Sequence, residues 1–402
     1  MVNYNLGSRP VLYNPQSLRR WRASLGGALL GTVPVVCVGD SITAGQGGDG
    51  NTGSYSNVPD NTDGWAGQLR TLWGNELASA AGEGFWFSDD SRVTVAGSPT
   101  QNSWACVPLR HGYRLIGSTQ TLQVTVPAGV TVCSVIQANQ NAAFSAGGTG
   151  LADVSAIYSQ TGSHTVTNQA IASLTNTGRA VVTDIACAAG DTITVKGPAS
   201  AQSYIVGFVM KTGSPGVLVH RIGQPGYVSG DLLGGQTSGV LTQAASATFQ
   251  LDACRAVYDW AGTQGLVIVS FEVNDQAGQA GTGAAGGVTL ALYTAWMEQF
   301  CNQAVADGWC CLILGEPRNP NAYAGGASED QYYAAVKAFA LATDHVAFLD
   351  TGELWGSAAA AQALGLAVNT SVHPTQAGHG DMARMVWHAV GATAGISALA
   401  AA

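Results

Sequence analysis

The chain has 402 residues, 46% of them apolar and only 10% charged, and carries a net charge of −9. This length and apolar content provide for a large core and exclude an intrinsically disordered chain. The acidic balance disfavours nucleic acid as a partner, because phosphate binding needs concentrated Lys and Arg, and no uninterrupted apolar run approaches the ~18 residues that span a membrane.

Residues 1–30 read as a polar, Pro-punctuated arm followed by a short amphipathic helix in SLRRWRASLGGALLG. This segment holds the one basic cluster, Arg19, Arg20 and Arg22. A secretory signal puts its charged end first and a cleavage site after the apolar run. Here the apolar stretch 25–38 is broken by Gly26, Gly27, Gly31 and Pro34 and runs on into a strand, so no signal peptide is expected. That strand, 33–38, is Val-rich and stops abruptly at Gly39-Asp40-Ser41, as a central strand of a parallel sheet does. A Gly-, Asn- and Ser-rich loop follows over 45–63. Then comes a helix carrying Trp65, Leu69, Leu72 and Trp73.

From residue 91 to about 215 the texture changes to short alternating runs, rich in Thr and Val, with frequent turn residues. This reads as an antiparallel β-sandwich or jelly-roll unit. Tyr113, Tyr158 and Tyr204 are its candidates for a sugar-facing surface, although strand tyrosines are more often packed. Strand and helix patterns alternate again from 216. Strands are expected at 217–223, 265–273, 309–317 and 345–350, and helices at 241–260, 288–306, 330–342 and 378–391. Such alternation argues for a parallel sheet covered on both sides. The β-rich block is therefore inserted into one α/β domain formed by 31–90 and 216–402. The eight cysteines lie mostly in apolar runs without zinc-type spacing and read as buried thiols; their even number permits disulfides without requiring them.

In an open parallel sheet, ligands bind past the carboxyl ends of the strands. Four loops meet that condition: those holding Ser41, the Gly223/Gly226 pair, Asn274 and His373. A serine becomes a nucleophile when a base takes its proton, and His is the usual base near neutral pH. A Gly N–H and an Asn amide are suitable donors to a developing oxyanion. Taken singly, each has a plainer role: a helix cap, a turn glycine, an Asx turn, a packed loop histidine. Asp40 reads as holding the turn through backbone N–H groups. His379 and Asp381 beside His373 lack the i, i+4 spacing of a helical metal pair, so no metal or other cofactor is expected, and His379 reads as bracing a helix start.

Together these blocks resemble the SGNH, or GDSL-like, hydrolases. GDSITAG at 39–45 is similar to that family's first block, with Trp65 as the aromatic that follows it. IGQPG is a loose match to the glycine block, with Gly226 the better fit and Gly223 the other candidate. VND at 273–275 is similar to the third block, and VHPTQAGHGDMA at 372–383 to the last. The resemblance implies a three-layer α/β/α, flavodoxin-like sheet. It also implies a serine esterase or deacetylase with Ser41 as nucleophile, His373 as base, and Asn274 and Gly226 at the oxyanion, supported by Asp40 and Gly223. The pocket would include Trp65 and Glu272. Two departures stand out. Glu272 replaces the family's usual Gly, and Thr370 replaces the Asp usually found three residues before the His. Thr370, Asn369 and Ser371, or the carboxylates Asp350 and Glu353, are the candidates to orient His373.

The arm, the Arg-Trp helix and the embedded β unit also resemble SGNH domains in minor tail proteins of actinobacterial phages. That resemblance implies a virion location, with an extracellular one as the alternative. It implies ester substrates on host-envelope glycans or lipids, and contacts with tail proteins or further copies of the chain. A catalytically weak receptor-binding or structural tail protein that keeps the fold is the competing reading.

Overall fold

The structure, a computed structural model, describes residues 12–48, 63–77, 81–88, 90–101, 112–138, 156–171, 180–199, 201–233, 247–262, 264–279, 288–318, 328–368 and 372–391. Its strands are β1 (Leu12–Tyr13), β2 (Thr32–Gly39), β3 (Gly82–Phe87), β4 (Val93–Ala96), β5 (Thr100–Gln101), β6 (Tyr113–Ile116), β7 (Thr121–Thr125), β8 (Val132–Ala138) and β9 (Ile157–Thr161). They continue with β10 (Val166–Ala170), β11 (Ala180–Ala186), β12 (Thr192–Lys196), β13 (Gln202–Lys211), β14 (Gly216–Gly223), β15 (Leu266–Ser270), β16 (Cys310–Gly315) and β17 (Val346–Asp350). The helices are α1 (Arg19–Gly26), α2 (Ser41–Ala44), α3 (Trp65–Leu77), α4 (Ala247–Ala256), α5 (Val273–Gln279), α6 (Leu290–Ala306), α7 (Glu329–Ala342), α8 (Thr351–Trp355), α9 (Ala358–Ala363) and α10 (Gln376–Val386).

One sheet runs β14-β2-β15-β16-β17-β1. Its first five strands are parallel, and β1 adds antiparallel to β17 at the edge. Taken in chain order, the parallel strands lie 2-1-3-4-5, the flavodoxin-like arrangement. Side chains alternate across these strands. Val36, Val38, Val267, Val269, Ile313 and Phe348 face a layer built from α4, α6 and α7, whereas Val35, Cys37, Ile268, Leu312 and Leu349 face α1, α3 and α10. Both faces are buried, which explains why the strands read as continuous apolar runs.

The sequence-based boundaries are close, and the differences have local causes. The strand expected over 265–273 ends at Ser270 because Val273 already opens α5. The last helix begins at Gln376 because the Thr375 side chain caps it, accepting from the Gly378 N–H at 3.1 Å. Part of the helix expected over 241–260 lies outside the described residues. The remainder is α4 and a single tight turn at Asp259–Ala261. Helix α1 is integral to the core. Trp21 of α1 meets Trp73 edge-on at 5.9 Å, and its indole N–H donates to the Val390 carbonyl at 2.9 Å.

The β-rich block forms two antiparallel sheets, β10-β9-β12-β7-β4 and β11-β8-β13-β6-β5, with β3 pairing on β13. The antiparallel layer thus begins at Gly82, before residue 91. Alternation decides what each face covers. Trp86, Val135, Ile205 and Phe208 point into the core between the two sheets. Phe85, Phe87, Ile136, Tyr204 and Val209 point the other way, into the same core as α4, α6 and α7. Tyr204 and Tyr158 are packed, 0% and 6% exposed. Among the described residues no helix is long and apolar enough to cross a membrane. Seven cysteines are described, all free and buried, and Cys106 lies outside the described residues.

Where the two units meet, His220 of β14 is buried against Trp260, ring centroids 4.9 Å apart. Neither ring nitrogen has a hydrogen-bond partner among the described residues. Burial pushes this imidazole down to about 3, so the unfolded chain binds a proton that the folded chain refuses. Stability is therefore unaffected above the unfolded value and falls as pH drops below it. The slope is about 1.4 kcal/mol per pH unit down to the folded value. His220→Leu should remove that share of acid sensitivity, which denaturant unfolding between pH 7 and 4 would measure.

Candidate active site

The site lies past the carboxyl ends of β2, β14 and β15. β2 pairs with β14 on one side, Gly39 opposite Gly223, and with β15 on the other, Gly39 opposite Ser270. This is the point at which strand order reverses, the usual place for a ligand crevice in such a sheet. A side chain at Gly39 would meet the Ser270 carbonyl at 2.3 Å, and one at Gly223 would meet the Ala44 backbone N at 2.1 Å. Both glycines are therefore required by close backbone approach.

Ser41 is the first residue of α2, 6% exposed. Asp40 caps that turn, its Oδ1 accepting from the Ile42 N–H at 2.8 Å. Arg221 donates to the Ala44 carbonyl at 2.9 Å at the other end, and Gly45 closes it with φ +88°. His373 arrives from the opposite end of the chain. Its carbonyl accepts from the Val368 N–H at 3.0 Å, and Thr375 N–H donates to the Leu366 carbonyl at 2.9 Å, so the loop before α10 runs as a short bridge. The outcome is a 2.9 Å contact between His373 Nε2 and Ser41 Oγ. Burial pushes His373 down to about 4. The imidazole is thus neutral near pH 7, and the Ser41 hydroxyl can donate to Nε2.

Asn274 lies in the first turn of α5, with its amide nitrogen 2.9 Å from the Tyr227 carbonyl and 3.3 Å from Asp40 Oδ2. Gly226 occupies a left-handed turn position, φ +80°, next to Tyr227. The structure thus brings Ser41, His373, Asp40, Asn274, Gly223 and Gly226 to one edge. The two pocket candidates differ from that group. Trp65 and Glu272 are each 0% exposed. Trp65 packs in the core beneath α3 and α10. Glu272 sits below the surface near the Tyr333 hydroxyl, at 3.4 Å. Neither contributes surface to a cleft here, because the first apolar turn of α3 and the β15–α5 turn both fold inward.

Among the residues considered for orienting His373, Asn369, Thr370 and Ser371 lie outside the described residues. Asp350 caps α8, accepting from the Glu353 N–H at 3.0 Å, and faces Arg318 at 3.6 Å. Glu353 accepts from the Tyr13 hydroxyl at 2.6 Å. His379 is a brace: its Nδ1 lies 3.3 Å from the Trp65 backbone N and its Nε2 3.0 Å from the Gln46 carbonyl, tying the loop after Ser41 to the start of α3. Asp381 accepts from the Trp355 indole at 2.8 Å. Among the described residues no group of three or more His, Cys, Asp or Glu is arranged to hold a metal ion.

Two features had no sequence signal. Gly47, φ +92°, sits where a Cβ would meet the Pro374 carbonyl at 2.4 Å and His373 Cβ at 3.2 Å. A cluster of buried acids also lies behind the turn: Asp40, Glu272, Asp275 and Glu316, all 0% exposed. Burial raises all four, Glu316 up to about 7 and Asp275 up to about 8.

No protein-family model matches the chain, and no curated protein matches its sequence. Solved structures do resemble it. A peptidoglycan O-acetylesterase, captured in action, superposes with a TM-score of 0.62 at 15% identity, covering 93% of this chain and 96% of that one. Coverage that complete takes in the antiparallel sheets as well as the parallel one. Axe2, an acetylxylan esterase from Geobacillus stearothermophilus, is similar at 22% identity over 44% of this chain and 74% of its own, with a TM-score of 0.32. The fold, a mostly parallel α/β sheet with two antiparallel sheets inserted, matches structures of SGNH-type hydrolases.

Gly47→Ala should push the His373 segment away and lengthen the Ser41–His373 contact. The left-handed backbone and the clash should cost about 1–3 kcal/mol. A crystal structure of the variant and its thermal denaturation check the two parts separately.

Proposed function

We propose that the chain is a serine esterase that removes O-acyl groups, acetyl foremost, from cell-envelope glycans. The observation that carries this is the 2.9 Å contact between Ser41 Oγ and a neutral His373 Nε2 at the switch point of the sheet. The fold it shares over nearly its whole length with a peptidoglycan O-acetylesterase supports the choice of ester.

In this reading His373 takes the Ser41 proton as Oγ attacks the acyl carbon. The carbonyl oxygen becomes an oxyanion beside the Asn274 amide and the Gly223–Gly226 turn. His373 returns the proton to the leaving sugar oxygen as the C–O bond breaks, leaving an acyl-Ser41. Water, deprotonated by His373, then attacks the acyl carbon, and the free acid leaves as Ser41 recovers its proton. The placement of the enzyme on a phage tail facing the host envelope rests on the arm, the Arg-Trp helix and the embedded β unit. The competing reading, a binding protein that keeps the fold, draws on Thr370 standing where a carboxylate is usual and on the Asn274 amide being turned toward Tyr227 and Asp40.

Fluorophosphonate labelling separates the two. Labelling that disappears in Ser41→Ala supports the esterase, and folded wild-type protein that takes no label supports the binder. The base works only when neutral, so with His373 lowered to about 4 the acid limb of kcat/KM lies near pH 4. At pH 5 the rate is then close to its plateau, whereas an unshifted imidazole would be about thirtyfold down. Rates of p-nitrophenyl acetate hydrolysis from pH 4 to 8 test this.

A further inference from the structure

The acids behind the nucleophile turn take no part in the reaction just described, yet they join its pieces. Glu316 follows β16 directly and is fully buried. Its Oε2 accepts from the Val273 backbone N–H at 3.0 Å, and its Oε1 accepts from the Ser270 hydroxyl at 3.2 Å. Its carboxyl also lies close to that of Asp40. Two carboxyl groups so placed hydrogen-bond each other only when a proton lies between them. Asp40 in turn holds the Ile42 N–H, next to Ser41, and lies 3.3 Å from the Asn274 amide.

We propose that Glu316 is a positioning residue. Through its place against Asp40, and through its grip on the Val273 N–H and the Ser270 hydroxyl, it sets both the turn that presents Ser41 and the amide of Asn274. The inference rests on the esterase reading of those two residues.

The surroundings favour keeping the proton. From the start of α5, Asp275 faces the pair, and it accepts from the Ser229 hydroxyl at 2.6 Å. Glu272 faces it from the β15–α5 turn. Asp231 and Glu329 stand behind these two, and Arg318 is the cation that acts on Glu272. Burial raises both members of the pair, which favours a proton held between them. Removing it would set two negative charges side by side without water. Asp40 would then draw the Asn274 amide inward, away from an oxyanion. Activity should therefore be present while the proton is held and decline on the alkaline side as it leaves.

The test compares Glu316→Gln and Glu316→Ala. Glutamine can keep its oxygen on the Val273 N–H and donate its amide to an ionised Asp40 or to the Ser270 oxygen, with no proton to lose; alanine can do neither. For p-nitrophenyl acetate, Glu316→Ala should lower kcat by about 10–100-fold with KM little changed. Glu316→Gln should stay within about threefold of wild type and lose the alkaline decline. A second readout does not need turnover. The side-chain amide NMR signal of Asn274, assigned by its loss in Asn274→Asp, should move with pH in wild type and stay fixed in Glu316→Gln. Wild-type kcat in Glu316→Ala, or an Asn274 signal that titrates identically in Glu316→Gln, overturns the proposal. If Glu316→Ala does not fold, the glutamine variant carries the test. If wild type shows no Ser41-dependent turnover, the esterase reading fails, and the NMR comparison still decides whether Glu316 governs the Asn274 amide.

Discussion

Everything at the site hangs on Gly39 being gripped from both sides, by Gly223 of β14 and by Ser270 of β15. That double pairing puts three strand ends within one residue of register. The chain leaving β2 must turn at once, and Asp40 caps the turn. The chain leaving β15 turns into α5 and sets Asn274 beside it. The chain leaving β14 crosses so close to α2 that no side chain fits at Gly223. Ser41 is thus fixed by backbone geometry, and His373 comes to it from a loop stapled to Leu366 and Val368.

Much of this was legible in the residues. The Val-rich run ending in GDS, the alternation of strand and helix patterns after 216, and the Thr- and Val-rich block before it each follow from burial and periodicity. Those signals survive in a single sequence. The site was legible where residue type and loop position coincide: Ser41, Asn274 and His373 each follow a strand or precede a helix on one edge. Trp65 and Glu272 were less legible, since a polar or aromatic residue next to a catalytic block reads the same whether it faces in or out. Gly47 and Glu316 carried no signal, because their roles come from contacts with residues hundreds of positions away or in a neighbouring strand. The start of the β layer at Gly82 was hidden for a similar reason. GEGFWF is as apolar as a parallel strand, and only its pairing with β13 assigns it.

The buried acids show how one sheet edge can hold several carboxyl groups close together. Desolvation raises each of them, hydroxyl and backbone donors satisfy Asp275 and Glu316, and protons take the place of counter-ions. The same desolvation keeps His373 and His379 neutral, one available as a base and the other as a fixed brace.

The alternation along β3, β8 and β13 has a consequence for how this architecture can change. Phe85, Phe87 and Tyr204 belong to the parallel sheet's core, while their chain neighbours Trp86 and Ile205 belong to the sandwich. The inserted unit therefore has no seam along which it could be exchanged as a cassette. Its outer sheet is free to diversify, but its inner sheet must coevolve with the helices it covers.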